Sequence, residues 1–289
     1  MAVVGFVPHL YRDQATELAE QWAAWLEASG HQVRIAANHD NGRADYRNGR
    51  WDWPGEKLAD GLDLAVSLGG DGTMLRAVDL VAGKDVPVLG VNVGHLGYLT
   101  VVGPDELEDA LSRFLSGDYR LESRMTLEVE VATTNGDTAP RSITALNDAV
   151  LQRVAGGHTV RLAMSVDGDP FLTYAADSII VATPTGSTAY NLSARGPIVS
   201  PRARVLVVTP VAAHMLFDRS LILDPGEDVS LEVIDGRQAE LVVDGRVIGI
   251  LAAGDTVTCR AGAHSAHLVG FGHRHFHHLL KRKFGLSDR

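Results

Sequence analysis

Apolar residues in the first third of the chain recur in two rhythms. Residues 3–7, 31–37, 62–68 and 86–91 form short aliphatic runs with the length of buried strands, while Leu18, Trp22, Trp25 and Leu26 recur at helical spacing. Gly30 follows as a helix stop, and residues 73–81 read as a second helix. Strands alternating with helices predict a parallel, doubly wound α/β sheet. After about Glu122 the rhythm shortens. Residues 126–133, 159–166, 178–182, 205–209, 229–234 and 240–243 are brief and β-branched, and the dipeptides Asn135-Gly136, Asp167-Gly168, Asp235-Gly236 and Asp244-Gly245 supply hairpin turns. This spacing predicts a layered β-sandwich domain interrupted by one short helix over 187–192. A last helix over 273–284 is expected to return to the first domain. The expected division is residues 1–122 with 267–289 for the α/β domain and 123–266 for the β-rich one. The polar stretch 38–53 reads as a loop beside the first sheet.

Composition narrows the function. With 289 residues the chain is long enough for two cores, and 45% hydrophobic residues against 21% charged ones describe an ordinary folded protein. A net charge of −10, from 36 acidic and 26 basic side chains, disfavours a duplex nucleic acid as partner and favours a small molecule. The single cysteine, Cys259, permits no intrachain disulfide, and the first residues carry neither a basic leader nor an apolar run long enough for a membrane. A cytoplasmic protein without a membrane partner is expected.

Two segments carry chemistry. In the first, the apolar run 63–68 breaks into Gly69-Gly70-Asp71-Gly72-Thr73 and opens a helix. Glycines let backbone N–H groups approach phosphate oxygens, the helix turns its positive end toward that anion, and Arg76 stands one turn further on. Asp71 would repel a phosphate. Its place suits a base for a hydroxyl nucleophile or an indirect metal anchor, the plainer alternative being a helix-capping Asp in a tight turn. Neither GxxxxGK[ST] nor a GxGxxG between strand and helix is present, which excludes the two common phosphate loops. The second segment runs from Asp177 through Thr183-Pro184-Thr185-Gly186-Ser187 to Ser193, and its hydroxyls, N–H groups and Tyr190 ring suit the polar edge and the face of a nucleotide. An elaborately capped helix is the alternative there.

Together these segments resemble the NAD kinases. The resemblance spans nearly the whole chain and rests on Gly69–Thr73, Asn92–Leu99, Leu146-Asn147-Asp148, Thr183–Ser193 and Pro210–His214, in the family's order. It implies a two-domain fold with the substrate between the domains, phosphoryl transfer from ATP or polyphosphate to the adenosine 2′-hydroxyl of NAD or NADH, a requirement for Mg²⁺, and a homodimer or homotetramer. Matched residue by residue, Asp71 is the implied proton acceptor, and Gly70, Gly72, Thr73 and Arg76 contact phosphate or dinucleotide. Asn147 and Asp148 hold adenine and ribose hydroxyls. Thr188, Ala189, Tyr190, Asn191, Leu192 and Ser193 form the adenosine segment, Asp177 and Ala212 reach a dinucleotide across a subunit interface, and His158 lies near the ligand.

Two positions depart from the pattern, since the family usually has glycine where Ser178 and Arg195 stand. If either glycine served a positive φ, its replacement would cost roughly 1 kcal/mol and reshape the pocket. Small, neutral Ala175 leaves room for NADH. The histidines His273, His275, His277 and His278, next to Lys281, Arg282 and Lys283, read as a basic helix surface rather than a metal site. A kinase with a lipid acceptor and a non-catalytic NAD(P) sensor are the other readings. The nucleotide-type segment and the acidic composition oppose the first, and Asp71 opposes the second.

Overall fold

The computed structural model describes residues 1–36, 52–53, 58–94, 97–100, 102–134, 141–154, 158–234, 236–272 and 276–286. Of the loop expected over 38–53, all but Asp52 and Trp53 falls outside these, and those two form a strand that pairs with the first sheet rather than loop; the turn at 135–136, Asp235, the glycines 156–157 before His158, His95, Leu96, His273 and His275 also fall outside. The chain divides into two compact units, Met1–Ser123 with Ala266–Arg289, and Arg124–Ser265.

Unit one is built on a seven-stranded sheet. Its strands are β1 (Val3–Pro8), β2 (Gln32–Ala36), β3 (Asp52–Trp53), β4 (Leu64–Gly69), β5 (Val88–Asn92), β6 (Arg120–Arg124) and, from the far end of the chain, β19 (Ala266–Gly270), in the order β3-β2-β1-β4-β5-β19-β6. The pairings β1–β2, β1–β4 and β4–β5 are parallel, and β4 is buried at every position, as a strand covered on both faces requires. Helix α1 (Asp13–Ala28) lays Ala15, Ala19, Trp22, Ala23 and Leu26 on the core and stops where Gly30 turns to φ +83°. Helix α2 (Asp71–Leu80) follows β4 after one residue.

Strands β3 and β6 were not expected from the sequence, nor were two larger features of this unit. Helix α3 (Leu107–Ser116) buries Leu107, Ala110, Leu111 and Phe114 and ends at Gly117, φ +83°. Strand β19 joins β5 in parallel, with Leu268 opposite Val88. Such a pairing between residues 180 apart leaves no local trace. The terminal helix, α5 (Phe276–Phe284), carries no fully buried residue, but Lys283 Nζ lies 5.0 Å from the centre of the Tyr98 ring.

Unit two is two antiparallel sheets of six strands each. One holds β7 (Leu127–Ala132), β8 (Arg141–Ala145), β10 (Val160–Val166), β11 (Asp169–Ala176), β15 (Val229–Val233) and β18 (Thr256–Ala261), ordered β11-β10-β15-β18-β7-β8. The other holds β9 (Asp148–Arg153), β12 (Ser178–Ala182), β13 (Leu206–Val211), β14 (Leu221–Leu223), β16 (Ala239–Val243) and β17 (Arg246–Leu251), ordered β14-β13-β12-β9-β16-β17. Alternate residues of both sheets, among them Leu127, Leu162 and Leu231 from one and Leu151, Ile179 and Leu241 from the other, fill a common core. The turns Asp167-Gly168 and Asp244-Gly245 have positive φ at both residues (51° and 81°, 49° and 76°), the twist that two-residue hairpins need.

The short helix expected over 187–192 is two pieces, a 3₁₀ turn Gly186–Thr188 and a single α-turn α4 (Tyr190–Ser193). Ala189 between them sits at φ −96°, ψ −127°, outside the helical region.

Candidate active site

In unit one, glycine is needed at the end of β4 because strand and helix touch there: a Cβ on Gly69 would lie 2.2 Å from Thr73 Oγ1. Gly70 is extended, and α2 starts at Asp71 without a side-chain cap, which removes the helix-capping alternative for Asp71. The Asp71 carboxylate turns instead to a neighbouring loop, where Oδ2 accepts a hydrogen bond from the Tyr98 N–H at 2.8 Å and Oδ1 from the Leu99 N–H at 2.9 Å. Gly97 makes this approach possible, since its Cβ would stand 2.1 Å from Oδ1.

At the glycines that flank Asp71 in the chain, a cavity of about 210 Å³ is lined by His9, Leu10, Tyr11, Arg12, Gly70, Gly72, Thr73 and Arg76. Three elements converge on it: the loop after β1, the glycine loop and the first turns of α2. Backbone carbonyls orient both guanidinium groups, Pro8 O holding Arg76 Nη1 at 3.1 Å and Val93 O accepting from Arg12 Nη1. His9 Nδ1 accepts from the Tyr11 N–H at 3.1 Å. Burial, then the charges of Arg12 and Arg76, pull the His9 imidazole below its ordinary pKa. Two guanidinium groups at a glycine-rich helix start form a receptor for a phosphate-like anion. His9 and Arg12 escape a sequence reading because no spacing ties a loop after β1 to a helix sixty residues later.

In unit two, Asn147 and Asp148 stand where β8 passes into β9, and Asp148 is only 4% exposed. The turn between β16 and β17 meets them: Asp244 accepts from the N–H groups of Leu146 (2.8 Å), Asn147 (2.8 Å) and Asp148 (3.2 Å). From the other side Thr183 donates its hydroxyl to Leu146 O at 2.6 Å and its N–H to Asn147 O at 2.8 Å. Burial, and after it the charge of Asp244, pushes the Asp148 carboxyl up to about 7. Asp244 is raised too, by burial, against its three N–H bonds and the charge of Arg246.

The adenosine segment is divided. Tyr190 is 42% exposed, Ser193 is exposed, and Thr188, Ala189 and Leu192 are partly so. Asn191 is different: fully buried, it donates from Nδ2 to Ser187 O (3.2 Å) and Pro197 O (3.0 Å) and accepts from Thr209 Oγ1 (2.7 Å). Its amide is committed to the fold and braces the segment. Asp177 pairs with Arg153 at 3.1 Å, both half-exposed, and its N–H donates to Val211 O next to Ala212. His158 is exposed.

Comparisons with known proteins bear on this arrangement. Residues 4–119 match the family model for the ATP-NAD kinase N-terminal domain, and residues 146–271 match that for the C-terminal domain. A protein of Syntrophotalea carbinolica named NAD kinase is 36% identical over 292 residues, covering 100% of both chains. One of Geobacter metallireducens with the same name is 40% identical over 235 residues, 81% of this chain and 82% of its own.

The chain belongs to the NAD kinase family.

Two solved structures carry the likeness of fold. A yeast NADH kinase complexed with NADH has a TM-score of 0.87 at 24% identity, over 100% of this chain and 89% of that one. An NAD kinase from Archaeoglobus fulgidus in complex with ATP has a TM-score of 0.73 at 22% identity, over 99% of each. Against the family pattern, the two departures separate. Ser178 is an ordinary residue of β12 with no positive φ, although its buried hydroxyl finds no partner among the described residues. Arg195 does occupy a left-handed position, φ +64°, two residues after the end of α4. Only there does a side chain replace a glycine that the backbone favours.

Proposed function

We propose that the chain transfers a phosphoryl group from ATP or polyphosphate to the adenosine 2′-hydroxyl of NAD or NADH. The observation that carries this reading is the pairing, in one loop, of an oriented carboxylate with an anion cavity: Asp71 fixed by two N–H donors beside Arg12, Arg76 and the loop glycines. In this reading the cavity receives donor phosphates. Asp71 takes the 2′-hydroxyl proton as that oxygen attacks the terminal phosphorus, and the bridging oxygen leaves with ADP or a shortened polyphosphate. Asn147 and Asp148 hold the ribose and adenine, and Thr188, Ala189, Tyr190, Asn191, Leu192 and Ser193 form the adenosine segment, Asn191 with its amide turned into the fold. Asp177 and Ala212 reach a dinucleotide on a neighbouring subunit of a homodimer or homotetramer, with His158 an outer contact.

Among the described residues, no group of three or more His, Cys, Asp or Glu side chains is gathered as a metal cage. One carboxylate, Asp71, and the buried Thr73 hydroxyl fit an Mg²⁺ ion that arrives on the donor's phosphates. Bound there, the ion would neutralise phosphate charge as the transfer proceeds. No helix of the described residues is long and apolar enough to cross a membrane; the location proposed for the chain is the cytoplasm.

The deciding assay offers the purified chain NAD or NADH with Mg²⁺ and either donor and follows NADP or NADPH. Product with at least one donor and its loss in excess chelator are expected. No product with any combination overturns the reading.

A further inference from the structure

The turn between β16 and β17 reads in sequence as a hairpin signal and nothing more. In the fold it is a clamp. Besides the three N–H bonds that the Asp244 carboxylate accepts from Leu146, Asn147 and Asp148, its own N–H donates to Asp148 O at 3.0 Å. Thr183 closes the other side, and Gly186 is pressed so near that a Cβ there would lie 2.1 Å from Asn147 O. Within this held segment the Asp148 carboxyl is the unsatisfied group: it is 4% exposed and makes no hydrogen bond to any described residue. Buried polar groups want partners, and one left without a protein partner points to a ligand hydroxyl.

Resting on the reading of the chain as a kinase of NAD, we propose that Asp244 is a positioning residue for the dinucleotide, holding Asn147 and Asp148 and tuning by its charge how Asp148 meets a ribose hydroxyl. Two carboxyls in one buried place do not ionise independently. Asp244 has three N–H donors that favour its charged form, and Asp148 has none, so the proton that the pair retains resides on Asp148. The groups around the pair are few. Arg246 acts on Asp244 from the same hairpin; residues 183–188 opposite carry hydroxyls but no charge of their own, and the buried Arg124 donates to Thr185 Oγ1 there at 3.3 Å.

An ionised carboxyl accepts a hydroxyl proton more strongly than a neutral one. Dinucleotide binding therefore favours ionised Asp148, releases a proton on the acid side, and strengthens as pH rises toward neutrality. The test measures NAD affinity from pH 5.5 to 8.5 for the wild type, Asp244→Asn and Asp148→Asn, with thermal unfolding as a check of folding. In the wild type, affinity should climb up to about tenfold per pH unit and level off somewhat above pH 7. Asp244→Asn keeps an acceptor oxygen but removes the charge, so the climb should move to lower pH by about half a unit or more while the plateau weakens. A purely structural role would lower affinity at every pH without moving the climb, and that result overturns the proposal. The climb should vanish in Asp148→Asn; its persistence there also overturns the proposal, and does so even if Asp244→Asn fails to fold. A wild type that binds NAD equally across the range defeats this inference alone, whereas one that binds no NAD defeats the kinase reading with it.

Discussion

Asp71 in unit one and Asp148 in unit two are both candidate functional carboxylates, and they are built in opposite ways. Asp71 is partly exposed and has both oxygens held by backbone N–H groups, in a loop that faces two arginines. Asp148 is buried, has its backbone held instead, and leaves its carboxyl to find a partner. Orientation can thus be imposed through a side chain's oxygens or through the peptide units beside it. The first fixes where a proton is taken up, and the second leaves the carboxyl's charge to its surroundings.

The most severe loss should come from the first arrangement. Asp71→Asn preserves shape but removes the base, so kcat should fall at least about a hundredfold while NAD affinity changes little. Steady-state kinetics paired with binding would reveal it; a mutant retaining more than about a tenth of wild-type kcat removes Asp71 from that role.

Glycine replacements probe both arrangements at once. Gly97→Ala pushes on a side-chain oxygen that can swing away, whereas Gly186→Ala pushes on the backbone carbonyl of Asn147. The former should lower kcat by about tenfold or more with the melting temperature nearly kept. The latter should cost about 1–3 kcal/mol of stability, read by denaturant unfolding. Reversed outcomes would show that the two carboxylates are held by something other than these contacts.

Asp148→Asn examines the second arrangement through stability. A carboxyl raised in the folded state from 3.8 to about 7 binds its proton more tightly there than in the unfolded chain. Its contribution to stability is therefore full at low pH and is lost as pH rises between those values, at about 1.4 kcal/mol for each pH unit crossed. The variant should accordingly be the more stable protein above pH 7 and lose that advantage near pH 4. Melting curves across that range with no crossing trend would contradict the assignment. The slightest change belongs to Arg195→Gly, where relief of the left-handed position and the added freedom of the unfolded chain nearly cancel. Stability should change by less than about 1 kcal/mol.

Much of this was legible in the sequence, for local reasons. The β4–α2 junction carries its own signal because strand, glycines and helix are contiguous, and the hairpins at Asp167 and Asp244 announce their left-handed residues. Helix α3 was not anticipated although its signals are local, with Pro104 before its start, Gly117 at its end and apolar residues at 107, 110, 111 and 114. What stayed hidden is non-local. Asp244 acts on residues almost a hundred positions away, β19 pairs with β5 across the whole of the second unit, and His9 and Arg12 face Arg76 only after the sheet forms. For Asn191 the direction of the side chain was hidden for a different reason: a polar residue in a candidate ligand segment looks alike whether it faces outward or inward, and only its three internal bonds show that its amide faces the fold.

The return of β19 also sets an order of events during synthesis. All the strands of unit two lie between residues 127 and 261 and can pair as soon as they leave the ribosome. The edge of β5 at Val88, by contrast, waits for Leu268, and until then it is an open strand edge of the kind that recruits wrong partners. The unit that contains the chain's first residues is thus the last to close, and a chain released before residue 266 would have a complete second unit and an incomplete first one.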